Sequence, residues 1–119
     1  MMRPSPSLLA VSLCTRPVDF RKGAQSLALL VEAELGLSPF AGHLVVFCNR
    51  ARTGVKILYW ERNGFCLWHK RLEQERFHWP KAEPEGIVTL TGQQLNWLLD
   101  GYDLAAFKPH KTLSYTTVR

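Results

Sequence analysis

The sequence predicts an α+β domain, a mainly antiparallel sheet built on two consecutive hairpins with one helix before and one after. Three observations carry that expectation. Branched and aromatic residues crowd into short runs between residues 44 and 72. An Asn63-Gly64 dipeptide separates two of those runs. Apolar residues recur at three- and four-residue spacings on either side, from Ala24 to Leu35 and from Leu95 to Leu99. With 119 residues, 46% of them hydrophobic, the chain has core enough for one domain and too little for two.

The elements follow in order. Pro4 to Ser7 form a leader, and residues 8–14 (Leu-Leu-Ala-Val-Ser-Leu-Cys) make a short apolar run closed by Pro17, suited to a buried strand. Asp19 is placed to cap a helix whose Ala24, Leu27, Ala28, Val31 and Leu35 form one stripe, and Gly36 to end it. Leu37 to Gly42 read as a loop. Leu44 to Cys48 and Val55 to Trp60 flank a basic tip, giving the first hairpin. The second turns at Asn63-Gly64, two residues that accept the positive φ angles of a type I′ turn. Such a turn pairs Arg62 with Phe65, Trp60 with Leu67, Leu58 with His69 and Lys56 with Arg71 on one face, and Tyr59 with Trp68 and Ile57 with Lys70 on the other. Phe77-His78-Trp79 is a short strand or a loop packed over the sheet, and Ile87 to Leu90 a last strand. Thr91-Gly92-Gln93-Gln94 has the spacing of a capping box, with Leu95, Leu98 and Leu99 behind it and Gly101 at the end. These elements give a leader at 1–7, one domain at 8–103 and a loosely packed or disordered tail at 104–119.

The net charge of +5 is unevenly spread. Residues 43–81 hold eight cations (Arg50, Arg52, Lys56, Arg62, Lys70, Arg71, Arg76, Lys81) against Glu61, Glu73 and Glu75, and the rest of the chain is balanced. Seven of the thirteen aromatics lie in the same stretch. Cationic side chains bind phosphate and release counterions, aromatic rings stack on bases, and a two-stranded ribbon fits a major groove. Arg50, Arg52, Lys56, Lys70, Arg71 and Arg76 are therefore the candidate DNA contacts, with Arg50, Arg52 and Lys56 as a cluster at a loop tip. A plainer reading makes the aromatics core residues and the cations a solvated rim.

Other chemistries lack their residues. Cys14, Cys48 and Cys66 are odd in number with no C-x-x-C pair, which fits small buried hydrophobes in a reducing compartment. His43, His69, His78 and His110 show no ligand spacing, and the eight glycines form no phosphate loop, so neither metal nor cofactor is expected. No carboxylate set suggests nuclease chemistry, and an enzyme is not expected. The longest N-terminal apolar run falls far short of a membrane span or signal sequence, which points to the cytoplasm.

Residues 44–50 (Leu-Val-Val-Phe-Cys-Asn-Arg), 56–60 (Lys-Ile-Leu-Tyr-Trp), 63–73 (Asn-Gly-Phe-Cys-Leu-Trp-His-Lys-Arg-Leu-Glu) and 76–80 (Arg-Phe-His-Trp-Pro) form an ordered series. It closely resembles the TnpB accessory proteins of the IS-sixty-six group of bacterial insertion sequences. Residues 15–23 (Thr-Arg-Pro-Val-Asp-Phe-Arg-Lys-Gly) resemble that family's N-terminal motif, and the likeness covers roughly Val11 to Asp103. His69 departs from it, standing where an aromatic is common. The resemblance implies a small accessory to transposition, encoded beside a separate larger transposase; it does not imply a catalytic site. Two functions fit: DNA binding at the element's ends through the six cations, or a non-catalytic adaptor docking on the transposase, with charge aiding encounter.

Overall fold

The computed structural model describes residues 11–40 and 42–107. In chain order they form β1 (Val11–Cys14), α1 (Ala24–Glu34), β2 (Leu44–Cys48), β3 (Gly54–Glu61), β4 (Gly64–Arg71), β5 (Ile87–Leu90), α2 (Gly92–Leu99) and a 3-10 turn at Leu104–Phe107. The five strands make one sheet in the order β4-β3-β2-β1-β5. β1 runs parallel to β2, and every other pairing is antiparallel. This is the expected α+β class, with one helix before the hairpins and one after. The parallel pair exists because α1 lies between its strands in the chain, a crossover that a tight turn cannot replace.

The helices cover opposite faces of the sheet. Leu27, Ala28 and Val31 of α1 pack with Val45, Phe47 and Leu58. Leu95, Leu98 and Leu99 of α2 pack with Val11, Leu13, Leu44, Val46, Cys48, Val55 and Ile57. Successive strand residues point to opposite faces, so the β2 run Leu-Val-Val-Phe-Cys serves both cores and is buried throughout. That is why β2 reads as a continuous apolar run rather than an alternation. Phe77 and Trp79 join the α2-side core from a segment without regular structure, so the packed loop is the alternative realised there.

The second hairpin keeps its faces but not its partners. Glu61 pairs with Gly64, which makes Arg62 and Asn63 the central turn residues in place of Asn63 and Gly64. Every pair moves by two positions: Trp60 meets Phe65, Leu58 meets Leu67, Lys56 meets His69, Tyr59 meets Cys66, Ile57 meets Trp68 and Val55 meets Lys70. A two-residue shift preserves the alternation, so periodicity could not detect it. Cross-strand chemistry decides the matter, because the observed register sets Leu58 against Leu67 and Ile57 against Trp68 instead of against His69 and Lys70. Arg62 carries the positive φ, 57°, and Asn63 does not, the sign pattern of a type II′ turn.

The helix ends differ in the same way. α2 has its capping box: Thr91 Oγ1 accepts from the Gln94 N–H at 3.1 Å, and Gln94 Oε1 accepts from the Thr91 N–H at 2.9 Å. At the end of α1, Gly36 takes a φ of +67° and the Leu37 N–H donates back to the Val31 carbonyl at 3.2 Å. Asp19, however, does not cap α1. The helix starts at Ala24 behind Gly23, with no side-chain cap, and three residues separate Asp19 from Gly23. Asp19 instead accepts from the Arg21 N–H at 2.9 Å and forms an ion pair with its guanidinium at 2.6 Å. The Arg21 hydrogen bonds hold the Asp19 carboxyl down at about 2.

Of the segment expected as a tail, the described part is the Leu104–Phe107 turn, whose Leu104 packs against the α2-side core. The expected leader, residues 8–10 of the first strand and the remainder of that tail lie outside the described residues. Among the described residues no helix is long and apolar enough to cross a membrane, and no group of three or more His, Cys, Asp or Glu could hold a metal ion.

Candidate nucleic-acid interface

Because β1 and β2 are parallel, Cys14 and Cys48 end at the same edge of the molecule, and three irregular segments gather there. The first is the β2–β3 loop, organised by Asn49. Its Oδ1 accepts from the N–H groups of Thr53 at 2.9 Å and Gly54 at 3.1 Å, and its Nδ2 donates to Thr53 Oγ1 at 3.0 Å. Arg52 sits at the bend with a φ of 62°.

The second segment follows β4. The Leu72 N–H donates to the Thr53 carbonyl at 2.8 Å and the Phe77 N–H to the Arg52 carbonyl at 2.7 Å. The segment is then anchored through Trp79, whose Nε1 donates to the Cys14 carbonyl at 3.0 Å inside the core.

The third is residues 15–22. The Val18 N–H donates to the Cys48 carbonyl at 2.9 Å. Lys56 Nζ donates to the carbonyls of Phe20 at 2.8 Å and Lys22 at 3.1 Å, and lies 4.8 Å from the centre of the Phe20 ring. Gly54 makes this approach possible, since a Cβ there would come within 2.8 Å of the Phe20 ring. Between the first and third segments lies a cleft of about 450 Å³ lined by Pro17, Val18, Asp19, Phe20, Asn49, Arg50 and Ala51.

Four of the six candidate cations meet at this end. Arg50 and Arg52 are on the loop, Arg71 stands opposite Gly54 at the end of β4, and Arg76 precedes the residue bonded to Arg52. All four are exposed. Among the described residues none of them makes an ion pair or a side-chain hydrogen bond. Glu73 and Glu75, also exposed, lie between Arg71 and Arg76 in the chain and reduce the local charge.

Two candidates are corrected. Lys56 is not a loop-tip cation: it is only 8% exposed, and its ammonium is taken up by two backbone carbonyls. As the third residue of β3 it points into the α1-side face, which sequence spacing from the tip could not show. Lys70 points to the opposite face, where Nζ donates to the carbonyl of Leu99 at 2.8 Å. There it meets the negative end of the α2 dipole. Both lysines fasten segments together.

Lys22 was missed. It is exposed, and its carbonyl is held by Lys56 beside the arginine end. The available signal was its place in the 15–23 motif, which cap logic had absorbed into the start of a helix.

The aromatic residues do not follow the arginines. Trp60 forms a cluster with Phe40 and Phe65, centroids 5.0–5.4 Å apart, beside the Arg62-Asn63 turn at the far end of the hairpin. Trp68 packs against the α2-side core. At the arginine end Phe20 and His69 meet edge to face at 5.4 Å, while Phe77 and Trp79 are buried in the core. Partial burial, with Lys56 and Arg71 nearby, lowers the His69 pKa and favours a neutral imidazole. Cys14 and Cys48 are unsuited to act as nucleophiles, because burial pushes Cys48 up to about 12 and raises Cys14 as well.

Fold and site together define a small two-faced α+β protein in which Arg50, Arg52, Arg71 and Arg76 stand exposed at the end of the sheet where the parallel strands β1 and β2 finish. The chain belongs to the family described as IS66 Orf2 like protein, which it matches over residues 9–109. It is 40% identical over 102 residues to uncharacterized protein y4hO of Sinorhizobium fredii, covering 86% of this chain and 88% of the relative. It is 31% identical over 108 residues to uncharacterized protein y4jC of the same organism, covering 91% of each. No solved structure matches. The family connects the chain to an insertion sequence, in an accessory role.

Proposed function

We propose that the chain serves its insertion sequence by binding DNA, with Arg50, Arg52, Arg71 and Arg76 contacting backbone phosphates and Lys22 extending the same surface. The observation that carries this reading is the convergence of four exposed arginines, whose side chains make no ion pair or hydrogen bond among the described residues, at the end of the sheet where loops are cross-tied by backbone hydrogen bonds. Cations held on a rigid frame neutralise phosphates with little ordering to be done on binding. The position also suits a ligand site, since in open α/β sheets ligands gather beyond the carboxyl ends of parallel strands. Here the parallel pair is β1 and β2. Nothing in the chemistry of the site calls for catalysis.

The test is duplex affinity over a salt series. Each phosphate contact contributes roughly 0.9 to the slope of log affinity against log salt, so changing Arg50 and Arg52 together to Ala should lower it by about two. Lys70→Gln should leave the slope unchanged. Affinity indifferent to salt and to both arginines would overturn the reading.

One observation favours the adaptor alternative. Phe40, 55% exposed, continues the Trp60–Phe65 pair onto the surface at the opposite end, where a transposase could dock. Copurification with the transposase after nuclease treatment, lost in Phe40→Ala, would support that route.

A further inference from the structure

β4 is an eight-residue strand with β3 on one side and, among the described residues, no strand on the other. Open edges of this length are ordinarily blunted by proline, by a bulge or by charges turned into the pairing path. β4 has no proline, and its eight successive pairs with β3 run without a bulge. Its one lysine, Lys70, is turned to the α2 face and held by the Leu99 carbonyl.

The direction of the free backbone groups follows from the turn. The closing pair of a two-residue hairpin exchanges both hydrogen bonds, and hydrogen-bonded pairs then alternate with non-bonded ones. Counting from Glu61 and Gly64, the N–H and C=O groups of Phe65, Leu67, His69 and Arg71 point away from β3.

We propose that this edge pairs with the same edge of a second copy, antiparallel about Trp68, to make a continuous ten-stranded sheet. A two-fold axis perpendicular to the sheet brings like faces together, so residues of one face must oppose each other. In the register centred on Trp68, Leu67 opposes His69 of the second copy, Cys66 opposes Lys70 and Phe65 opposes Arg71. Each cation thus lies across from an apolar or aromatic side chain, and no two cations are opposed. A parallel pairing would stack Lys70 on Lys70 and Arg71 on Arg71, which like-charge repulsion disfavours. This self-complementarity singles out a second copy as the occupant. Both α1 helices then share one face, and the two Arg71 positions are offset by about 20 Å along the strands, at roughly 3.4 Å per residue. If the arginine ends bind DNA as proposed above, the pair presents two such ends, but the pairing itself does not depend on that reading.

Sedimentation equilibrium of the full chain without DNA should give twice the 13.6 kDa chain mass. His69→Pro removes an N–H that faces the free edge and none that bonds β3, so it should return the protein to one chain mass while circular dichroism shows the fold retained. Lys70→Cys reports the register independently. Within one strand the thiol at position 70 is about 13 Å from Cys66, beyond disulfide reach, so a 66–70 link can form only between chains. Mild oxidation should produce that link, identified by peptide mass. One chain mass at every concentration would overturn the proposal, as would a dimer that survives His69→Pro and gives no 66–70 link. Arg50→Ala with Arg52→Ala should leave the dimer mass unchanged, so failure of the DNA reading and failure of this one are told apart.

Discussion

The two ends of the β3–β4 hairpin are built on different principles. At the loop end, main-chain groups from residues 15–22, 49–54 and 72–79 are tied to one another and to the sheet by hydrogen bonds, with Asn49, Lys56 and Trp79 as side-chain fasteners. At the turn end, two residues close the strands and three rings touch edge to face or at a tilt. The loop end is irregular in secondary structure, yet its polar groups have specific partners. The turn end is regular, yet held by contacts of weak directionality. Irregular backbone can therefore be the better-fixed frame, and the exposed arginines stand on it.

Three substitutions rank the ends against each other. Trp79→Ala should have the largest effect, destabilising by about 3–5 kcal/mol in denaturant titration, since it empties a core site and removes the indole donor from the Cys14 carbonyl. Asn49→Ala should cost about 1–3 kcal/mol, because the N–H groups of Thr53 and Gly54 lose their acceptor. Duplex affinity should fall with it if the loop frame matters for binding. Arg62→Gly, at the turn end, should stay within about 1 kcal/mol and favour the folded state, because glycine accepts a positive φ that arginine adopts at some cost. If Asn49→Ala proved no more costly than Arg62→Gly, the contrast between the ends would be lost.

Much of this was legible in the residues. The apolar stripes located both helices, Thr91 and Gln94 defined the start of α2, and the branched runs located β2, β3 and β4, because each signal acts within a few residues. What periodicity could not supply was anything set by tertiary partners. The hairpin register depended on which side chains met across the strands, and a two-residue shift leaves the alternation intact. The fate of Lys56 and Lys70 depended on carbonyls 34–36 and 29 positions away in the chain. Of the six candidate contacts, the four arginines are exposed together, while both lysines were claimed by backbone acceptors that composition does not reveal.

The placement of β1 bears on how the molecule is made. Its partners are β2, some thirty residues later, and β5, which begins at Ile87. Strands β2 to β4 are sequence neighbours and need only short loop closures, whereas β1 stays incomplete until nearly the whole described chain has been synthesised. The β2–β4 hairpins can therefore form from contacts near in sequence, whereas the side of β1 that faces β5 is completed only with residues 87–90. Residues 15–22 follow β1 directly and form one wall of the cleft beside Arg50, so a chain cut before Ile87 would leave the strand that leads into that wall with β2 as its one remaining strand partner.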